Sequence, residues 1–565
     1  MIYKDKKPCD TVNGIKDCLN TDYALTFYCV SSNAGEIAPS YSLTNRELGL
    51  ITNGKGTTHE YAQASAFGEM FERLFNMAFI RFGAATPIDL GIDYPYHSYR
   101  RIEVHAQLKQ IVSQELGDDA RVNIMTELFM DLIDAYYGKV LDKIPCITFE
   151  NTYKAPIFFP VPIADILIGT NGMAAGNTLE EAFVQAFSEI MERKVIKDLN
   201  AGIIIPDLVK KSQQDLPVLN RFLDSFNEKE NILFKVFTFE RFYHFPVIAL
   251  LVVDIKRKKY KIKFGAHCTL SYALERCVTE FVQGAEAQDY SKWNSIKRAC
   301  LSNTGENMAI FVDGSGTISG IALENLLLAK NTYGTDWRPQ SNREAFSRIT
   351  ASQTNIYTSI NKTSPAVALQ LFIPGWSFMF WPNESELKQF IDNYKMIRQL
   401  IQFIKSNEKT VDNTSKIYHL LSKRYIPSTS LNQIVNFLCP VQLQYLKQIK
   451  IEDLSLVVNA ANNDYQALSD YFYKKSEERP NDEYSHYAAI YAYYMRHNDQ
   501  VPHPINVLFT ENIRKCVEKD FANGFNFLLN LDYCQKCPRK GLENCIHEEK
   551  KRVCRLIVEN ENISY

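Results

Sequence analysis

The chain has 565 residues, of which 46% are hydrophobic and 23% are charged. These values are typical of a globular protein with two or more domains. The net charge is −2, which gives no electrostatic reason to expect binding to nucleic acid or to a membrane surface. The sequence contains no apolar run of membrane-spanning length and no signal peptide core at its start. We therefore predict a cytoplasmic protein.

The first part of the chain alternates predicted strands and helices. The predicted elements before residue 156 are strands over residues 24–30, 40–52, 133–137 and 146–149 and a helix over residues 103–116. The second strand leads into the glycine-rich turn Asn53-Gly-Lys-Gly56, which precedes an acidic helix. Lys55 therefore stands at a helix N-terminus, a natural position for an anion. The spacing does not match a phosphate-binding P-loop.

The most informative segment covers residues 172–197, where a glycine-rich turn leads into a periodic helix. Asn177 and Thr178 are favourable N-cap residues, and an apolar stripe recurs at helical spacing. A second stripe on one helical face is polar and consists of Glu181, Gln185, Glu189 and Glu192. Clustered carboxylates repel each other, so a cation is expected from elsewhere, and Mg²⁺ prefers such oxygens. The alternative is an acidic surface helix.

This pattern occurs three times in the chain. The first copy lies 120 residues upstream of the central one (176 − 56 = 120), and the third lies 91 residues downstream (273 − 182 = 91). The matched pairs of the first two copies include Gly56 with Gly176, Thr58 with Thr178, Glu69 with Glu189, Glu72 with Glu192 and Arg73 with Arg193. In the third copy Arg276, Glu280 and Gln283 share one face. We predict a common metal–phosphate site; the alternative is a shared origin with a structural role.

Strands are predicted again around and after the central helix. They cover residues 156–169, 233–238, 245–253, 260–267, 355–360 and 366–373, and residues 214–229 are predicted to be helical. This order predicts an α+β fold with mixed sheets. His267 precedes the third acidic helix and has two interpretations: a ligand or acid–base group, or a hydrogen-bonded structural histidine.

The composition changes after Pro382. Residues 383–407 are predicted to form a helix, residues 407–416 a loop, and the chain up to residue 527 further helices with tyrosine-rich faces. These faces resemble tetratricopeptide-like helix pairs, although no clean repeat consensus is visible. We predict an all-α domain that contacts protein; stabilisation or homodimer formation is the alternative. The predicted boundaries are residues 1–385, 386–530 and 531–565.

The C-terminal tail contains a group of thiols that has the composition of a zinc site. The candidate ligands are Cys534, Cys537, Cys545 and Cys554, with His547 as a substitute. The spacing of the second pair is loose. Reduced thiols without a metal are the alternative, and an iron–sulfur cluster is a third one.

Together, the three ordered motifs resemble those of the YcaO family. They read N-G-K-G-T-T with S-A-x-G-E-x-x-E-R, then N-G-M-A-A-G-N-T with E-x-x-E-R, then F-G-A-H with E-R-x-x-x-E-x-x-Q-G. The resemblance covers roughly residues 1–381. It implies a YcaO-like ATP-binding domain in which glutamates hold Mg²⁺ on the triphosphate, and an ATP-dependent activation of a peptide amide.

The resemblance also implies the site residues. Those implied to bind the nucleotide are Ser65, Glu69, Glu72, Arg73, Asn177, Glu181, Gln185, Glu189, Glu192, Arg193, Arg276 and Glu280. Those implied to hold Mg²⁺ are Glu69, Glu72, Glu181, Glu189, Glu192 and Glu280. Family members often place an N-terminal lysine near the nucleotide. Here Lys6 and Lys7 are candidates, against the simpler interpretation of a frayed basic end.

The sequence leaves three functions open for this chain. The chain ends Glu-Asn-Ile-Ser-Tyr rather than in the proline-rich tail of azoline-forming members. Its length, the segment Ile373–Ser377 and the helical domain resemble stand-alone members linked to β-methylthiolation of a small-subunit ribosomal protein. Those members are accessory factors to a radical methylthiotransferase. The alternatives are a cyclodehydratase or thioamide-forming enzyme acting on a peptide, and a non-catalytic ATP-binding scaffold.

Overall fold

A computed structural model describes most of the chain. The described residues are 4–32, 37–45, 48, 50–81, 96–214, 216–227, 229–283, 287–297, 317–334, 337–405, 410–425, 428–429, 431, 450–525 and 546–560. Their strands are Tyr28–Ser32 (β1), Ser40–Asn45 (β2), Leu50–Lys55 (β3), Ser98–Arg100 (β4), Lys143–Phe149 (β5), Ile157–Pro160 (β6), Met173–Gly176 (β7), Asp207–Val209 (β8), Ile232–Thr238 (β9), Val247–Asp254 (β10), Lys259–Ala266 (β11), Asn294–Ser295 (β12), Thr332–Tyr333 (β13), Tyr357–Lys362 (β14) and Val367–Phe372 (β15).

The helices fall into a mixed α/β part and a helical part. The α-helices up to residue 352 are Pro8–Thr21, His59–Phe75, Ala78–Arg81, Arg101–Leu116, Asp119–Tyr137, Val161–Leu167, Leu179–Asn200, Pro217–Asp224, Glu240–Tyr243, Leu270–Phe281, Gly320–Leu328 and Asn342–Ser352. Those beyond it are Glu384–Lys405, Val411–Ser422, Ile451–Ala461, Tyr465–Glu478, Glu483–Arg496, His503–Asn506, Glu511–Ala522 and Ile546–Asn560. No helix in the described ranges combines the length and the apolarity that a bilayer crossing needs.

The three acidic helices predicted from the repeat are present. We name His59–Phe75 the first, Leu179–Asn200 the second and Leu270–Phe281 the third acidic helix. Each directly follows a strand (β3, β7 or β11) and packs against it. Each also has a threonine at the N-cap: Thr58, Thr178 and Thr269. The repeated sequence pattern is therefore a repeated strand–turn–helix unit.

Sheets and acidic helices alternate in layers. The first acidic helix lies between the β1-β2-β3 sheet and the β14-β15-β7 sheet, and the second lies between that sheet and the six-stranded β12-β11-β10-β9-β8-β13 sheet. The third covers the far face of the six-stranded sheet. All eight residues of β10 are buried, because odd-numbered ones such as Leu251 pack with the second acidic helix and even-numbered ones such as Leu250 with the third.

The predicted α+β fold with mixed sheets is confirmed. Among the described strands, all pairs are antiparallel except the parallel pair of β13 and β8. The predicted strands at residues 233–238, 245–253, 260–267, 355–360 and 366–373 correspond to β9, β10, β11, β14 and β15.

Four local predictions differ from the structure. The predicted strand over residues 133–137 is wrong, because these residues complete the helix Asp119–Tyr137, which Gly138 ends in a left-handed conformation with φ 68°. Residues 161–167 of the predicted strand region form a helix after β6. The predicted loop over residues 407–416 contains the start of the helix Val411–Ser422, capped by the Thr410 side chain. The N-terminal segment is not frayed: Pro8–Thr21 is a helix with Ile15 and Leu19 buried.

The helical part of the chain has its own small core between residues 456 and 525. Phe472, Tyr487 and Val517 lie at its centre, and the helices Tyr465–Glu478 and Glu483–Arg496 pack against each other. The hydroxyl group of Tyr484 donates to Asp520 at 2.6 Å, so this tyrosine packs and hydrogen-bonds at once. Helical pairs with aromatic faces were predicted here, and they are confirmed.

Other helices beyond residue 383 share the apolar core of the N-terminal α/β part instead, among them Val411–Ser422 through Ile417 and Leu421. Leu387 and Leu400 of the helix Glu384–Lys405 are buried in the same apolar cluster as the helix Asp119–Tyr137. Val553 and Ile557 of the helix Ile546–Asn560 belong to that cluster too. The predicted domain boundaries stay a prediction, but these helices pack as parts of the N-terminal body.

Glycines allow the acidic helices to approach the strands that precede them. A Cβ on Gly54 would lie 2.0 Å from the carbonyl oxygen of Ala62, and one on Gly265 would lie 2.3 Å from that of Ala273. A Cβ on Gly56 would lie 2.6 Å from the backbone nitrogen of Ala62, and one on Gly176 would lie 2.4 Å from that of Ala182. These contacts are too close for any larger residue.

We predict opposite effects for two glycine substitutions in the first unit. Gly54→Ala should lower the free energy of unfolding by about 2 kcal/mol or more, because the added methyl group overlaps the first acidic helix. Gly68→Ala in that helix should raise it by up to about 1 kcal/mol, because no atom lies within 4 Å of the added Cβ and alanine favours the helix. Urea denaturation of both variants measures the two values; equal effects would contradict the close approach.

Candidate nucleotide and metal site

The polar faces of the three acidic helices converge. Each pair of strand–turn–helix units is connected by a contact or by a charge interaction between polar side chains. The described residues therefore form a single polar centre rather than three separate acidic surfaces.

The first and third units are joined through Lys55. Its Nζ donates a short hydrogen bond to Oε1 of Glu280 and lies 3.3 Å from Oε1 of Gln283. The Nε2 of Gln283 in turn donates to the backbone oxygen of Asn53 at 3.3 Å. The glycine turn before the first acidic helix is thus attached to the end of the third.

The second unit joins both of the others. Arg276 of the third acidic helix donates from Nη1 to Oε1 of Gln185 on the second at 2.8 Å. Arg73 of the first acidic helix contacts the sulfur of Met173, in the strand before the second, at 3.8 Å. Burial raises the pKa of Glu189, and the charge of Arg73 opposes this rise from the first unit.

Each of the first two acidic helices pairs its own glutamates with its own arginine. Arg73 lies 3.2 Å from Glu72 and 3.5 Å from Glu69. Arg193 lies 3.9 Å from Glu189. These side chains are partly buried, with exposed fractions of 15% for both Glu72 and Arg193. The ion pairs are therefore shielded from much of the solvent.

The arginines do not compensate the carboxylates fully. Burial, opposed by Arg73 and reinforced by Glu189 and Glu69, raises the pKa of Glu72 to about 8. Burial also raises the pKa of Glu189, against the charges of Arg193 and Arg73. Carboxyl groups with raised pKa values indicate a site that would gain from a further cation.

The same centre also perturbs the pKa of the Lys55 ammonium group. Burial and the charge of Arg276 lower its pKa to about 7, although Glu192 and Glu69 raise it. Glu192 therefore acts on both Lys55 and Glu189 and belongs to the same centre.

Glu181 has a different environment from the other predicted glutamates. It is 3% exposed, and its carboxylate lies 3.0 Å from Nζ of Lys4. It also accepts hydrogen bonds from Asn177 at 2.9 Å and from the backbone N–H of Asp5 at 3.0 Å. Burial alone would raise the pKa of Glu181, but Lys4 and these donors lower it overall. This carboxylate is already compensated by the protein.

Lys4 is the functional candidate that sequence reasoning missed. The candidates were Lys6 and Lys7, but Nζ of Lys6 contacts the backbone oxygen of Pro365 at 3.3 Å and Lys7 precedes the first helix as its N-cap. The segment is also fixed by Thr11, whose hydroxyl lies 2.7 Å from Oδ1 of Asn177. The only available sequence signal was the basic N-terminus itself, which does not define the lysine.

Ser65 and His267 have less direct contact with the polar centre than the glutamates and arginines. Ser65 is exposed on the first acidic helix. His267 is buried, and burial together with Arg276 and Lys4 holds its pKa well below the usual range, so the ring is neutral. A neutral buried ring beside Cys268 and Thr269 favours the structural interpretation.

The structure gives no support to zinc. Cys534, Cys537 and Cys545 lie outside the described residues, as part of residues 526–545. Cys554 is 2% exposed in the apolar core. Over the described ranges, no three His, Cys, Asp or Glu side chains already stand together as a metal-binding group.

The same finding limits how Mg²⁺ could be held. The described glutamates do not form an all-protein cage, but their oxygen donors, with the raised pKa values of Glu72 and Glu189, fit a cation that takes its other ligands from phosphates. Arg73, Arg193, Arg276 and Lys55 border the same centre and suit phosphate oxygens. This combination of carboxylates, arginines and a lysine at one centre is typical of a nucleotide- and metal-binding protein.

Comparison with known families agrees with this class. A sequence model described as "YcaO cyclodehydratase, ATP- and Mg²⁺-binding" matches residues 53–350, which is more than half of the 565 residues. The chain belongs to the YcaO family.

Two curated relatives are each 28% identical to this chain. One is an uncharacterized protein of Haemophilus influenzae, aligned over 58% of this chain and 58% of its own. The other is the ribosomal protein S12 methylthiotransferase accessory factor YcaO of Escherichia coli, aligned over 50% of this chain and 49% of its own. The chain thus matches about half of the length of these relatives.

Solved structures show a looser likeness. A heterocyclase in complex with substrate and cofactor has a TM-score of 0.43 at 16% identity, over 66% of this chain and 53% of that chain. YcaO from Methanopyrus kandleri bound with AMPPCP and Mg²⁺ has a TM-score of 0.40 at 15% identity, over 66% of this chain and 93% of that chain. Family membership rests on the sequence match.

We predict that Glu72→Gln stabilises the metal-free protein. The pKa of Glu72 is about 8 in the folded chain against 4.5 ordinarily. The unfolded chain therefore loses this proton first, and ionisation disfavours folding as the pH rises from 4.5 to 8. The variant should gain about 1 kcal/mol or more in the free energy of unfolding at pH 8, and less at pH 5.5.

Urea denaturation in the presence of a chelator measures this effect. Glu60→Gln, an exposed position on the same helix, serves as the matched control and should show no such gain. A Glu72→Gln variant that is less stable than the wild type at pH 8 would contradict the crowding of carboxylates.

Proposed function

We propose that this chain is an ATP- and Mg²⁺-dependent enzyme that activates a peptide amide, and that it acts as an accessory factor in β-methylthiolation of a small-subunit ribosomal protein. The observation that supports the first part is the convergence of three acidic helices with Arg73, Arg276 and Lys55 at one polar centre. Membership of a family described as ATP- and Mg²⁺-binding supports it further.

The chemistry addresses two weaknesses of an amide. Its oxygen is a poor nucleophile, and as an oxide or hydroxide it is a poor leaving group. If the amide oxygen attacks the γ-phosphorus of ATP, ADP departs and the oxygen carries a phosphoryl group. A nucleophile then adds to the carbon, and the oxygen leaves with its phosphoryl group as phosphate. Such a transfer depends mainly on positioning and on charge neutralisation.

The side chains divide this work between them. When bound, Mg²⁺ would neutralise and orient the triphosphate. Glu69, Glu72, Glu189, Glu192 and Glu280 would hold it, while Arg73, Arg193 and Arg276 would bind phosphate oxygens or orient the carboxylates. We assign Glu181, with Asn177, Gln185 and Ser65, to nucleotide binding. Because Lys4 and Asn177 already compensate Glu181, a direct metal contact is weaker for this residue than for the others.

The ribosomal assignment rests on the named relative. The Escherichia coli protein is named as an accessory factor to the S12 methylthiotransferase, and the two chains align over half of their lengths. We therefore propose a ribosomal protein as substrate and a radical methylthiotransferase as partner. Residues 450–525, with their aromatic helix pairs, are the proposed protein-contact region; homodimer formation through them is the alternative.

Two other functions remain as alternatives. The family description names a cyclodehydratase, which favours an enzyme that forms azolines or thioamides in a peptide. A scaffold that binds ATP without turnover would use the same polar centre and the helical region. The product separates these hypotheses: loss of water, exchange of oxygen for sulfur, gain of a methylthio group, or no change in mass.

We predict that Mg²⁺-dependent ATP hydrolysis requires the acidic helices. Glu192→Gln and Glu72→Gln should each lower the rate about a hundredfold, because each removes one charge from the proposed metal–phosphate site. Phosphate release by the purified full-length protein measures this, with Glu60→Gln as the matched surface control. Hydrolysis that is untouched in both variants would refute the site assignment.

We further predict that the ribosomal substrate stimulates turnover. Phosphate release should rise when the small-subunit ribosomal protein and the methylthiotransferase are added together, because activation needs an amide to accept the phosphoryl group. Mass spectrometry of the ribosomal protein identifies the product. ATP binding without turnover under every combination would favour the scaffold.

A further inference from the structure

Lys55 occupies a place in the threefold repeat that neither of the other units shares. The offset of 120 residues puts it opposite Ala175 (55 + 120 = 175), and the offset of 91 puts it opposite Ala266 (175 + 91 = 266). Alanine at both equivalent positions cannot bind an anion through its side chain. The lysine is therefore specific to the first of the three units.

Lys55 compensates the negative charge of Glu280 on the third acidic helix. Glu69 and Glu189 each pair with an arginine four residues later, at 3.5 Å and 3.9 Å. The third helix has Glu280 at the equivalent position, but residue 284 is a glycine and provides no charge. Arg276, four residues before Glu280, donates to Gln185, and Lys55 reaches across from the first unit to pair with Glu280.

The backbone fixes the direction from which Lys55 approaches. Gly54 and Gly56, on either side, are pressed against the first acidic helix at distances that leave no room for a Cβ. Successive residues of a strand face opposite sides, so Lys55 points away from that helix and toward the third. Gln283 holds the same turn by its bond to the backbone of Asn53. The ammonium group is thus directed at Glu280 by rigid neighbours.

We propose that Lys55 is a phosphate-positioning residue that Glu280 holds in place until a divalent cation takes the carboxylate. The ammonium group is paired with the carboxylate of Glu280 through Oε1, so a metal ion that binds this carboxylate competes with it for the same negative charge. Once released, Lys55 stands in a glycine turn at a helix N-terminus, where its charge and the backbone N–H groups favour phosphate. Metal loading and phosphate binding would thereby be coupled. This inference rests on the proposed function of the site.

The first measurement is binding of Mn²⁺ alone, followed through the electron paramagnetic resonance signal of the free ion. Lys55→Met should bind Mn²⁺ about tenfold more tightly than the wild type, because the competing ammonium group is gone. Lys55→Arg keeps the charge and should bind Mn²⁺ as the wild type does. Lys16→Met removes an exposed lysine of the helix Pro8–Thr21 and should also behave as the wild type.

The pairing with Glu280 is tested by a double-mutant cycle. In a Glu280→Gln background, Lys55→Met should bring no gain in Mn²⁺ affinity, because the carboxylate for which the two cations compete is absent. A gain of the same size in both backgrounds would overturn the inference. So would equal Mn²⁺ affinities of the wild type and Lys55→Met, because Lys55 would then be a structural ion pair only.

The second measurement is calorimetric binding of ATP with Mg²⁺. Lys55→Met should bind it about tenfold more weakly, despite the tighter hold on the metal. Unchanged ATP affinity would overturn the phosphate-positioning role. If the wild type binds no ATP but the Mn²⁺ effect is present, the proposed function fails and the exchange at Glu280 stands. If the wild type hydrolyses ATP and Lys55→Met alters neither measurement, the inference fails and the proposed function stands.

Discussion

Crowding of like charges is the constraint on which this structure depends. Three helices bring carboxylates together at a partly buried centre, where their mutual repulsion is poorly screened. Arg73 and Arg193 pair with glutamates of their own helices. Lys55 pairs with Glu280 of another unit. These ion pairs compensate the negative charge only in part, because Glu72 and Glu189 still have raised pKa values. Carboxyl groups perturbed in this way cluster at functional sites, which makes this centre the candidate binding site of the chain.

The layered architecture makes the crowding possible. Each acidic helix lies against the strand before it, and a sheet separates it from the next acidic helix. The helices are therefore fixed by apolar packing on both sides, while their polar faces meet at the edge of the layers. Glycines such as Gly54 and Gly265 keep the layers thin. Stability is thus built into the apolar faces, and the polar faces are free to carry mutually repelling groups.

The sequence was informative wherever the signal was local or repeated. Threonine caps, glycine turns and 3.6-residue periodicity predicted the first and second acidic helices, and the repeat predicted their shared centre. One short apolar run was not informative: residues 133–137 fit a strand and a helix equally, and only packing decided for the helix. The role of Lys4 and the partner of Lys55 could not be predicted, because Glu181 and Glu280 are distant in the chain from these lysines. Contacts of this kind exist only after folding.

The helix Ile546–Asn560 gives the body a particular order of assembly. It fills the same core as Leu19 and Tyr23 near the N-terminus, and Arg552 reaches the backbone oxygen of Ala24 at 3.5 Å. During synthesis the part of this core that Val553, Cys554 and Ile557 cover stays open until that helix has left the ribosome, after every other described element. The nascent chain therefore exposes this apolar patch to aggregation and to chaperones while the helical region is made.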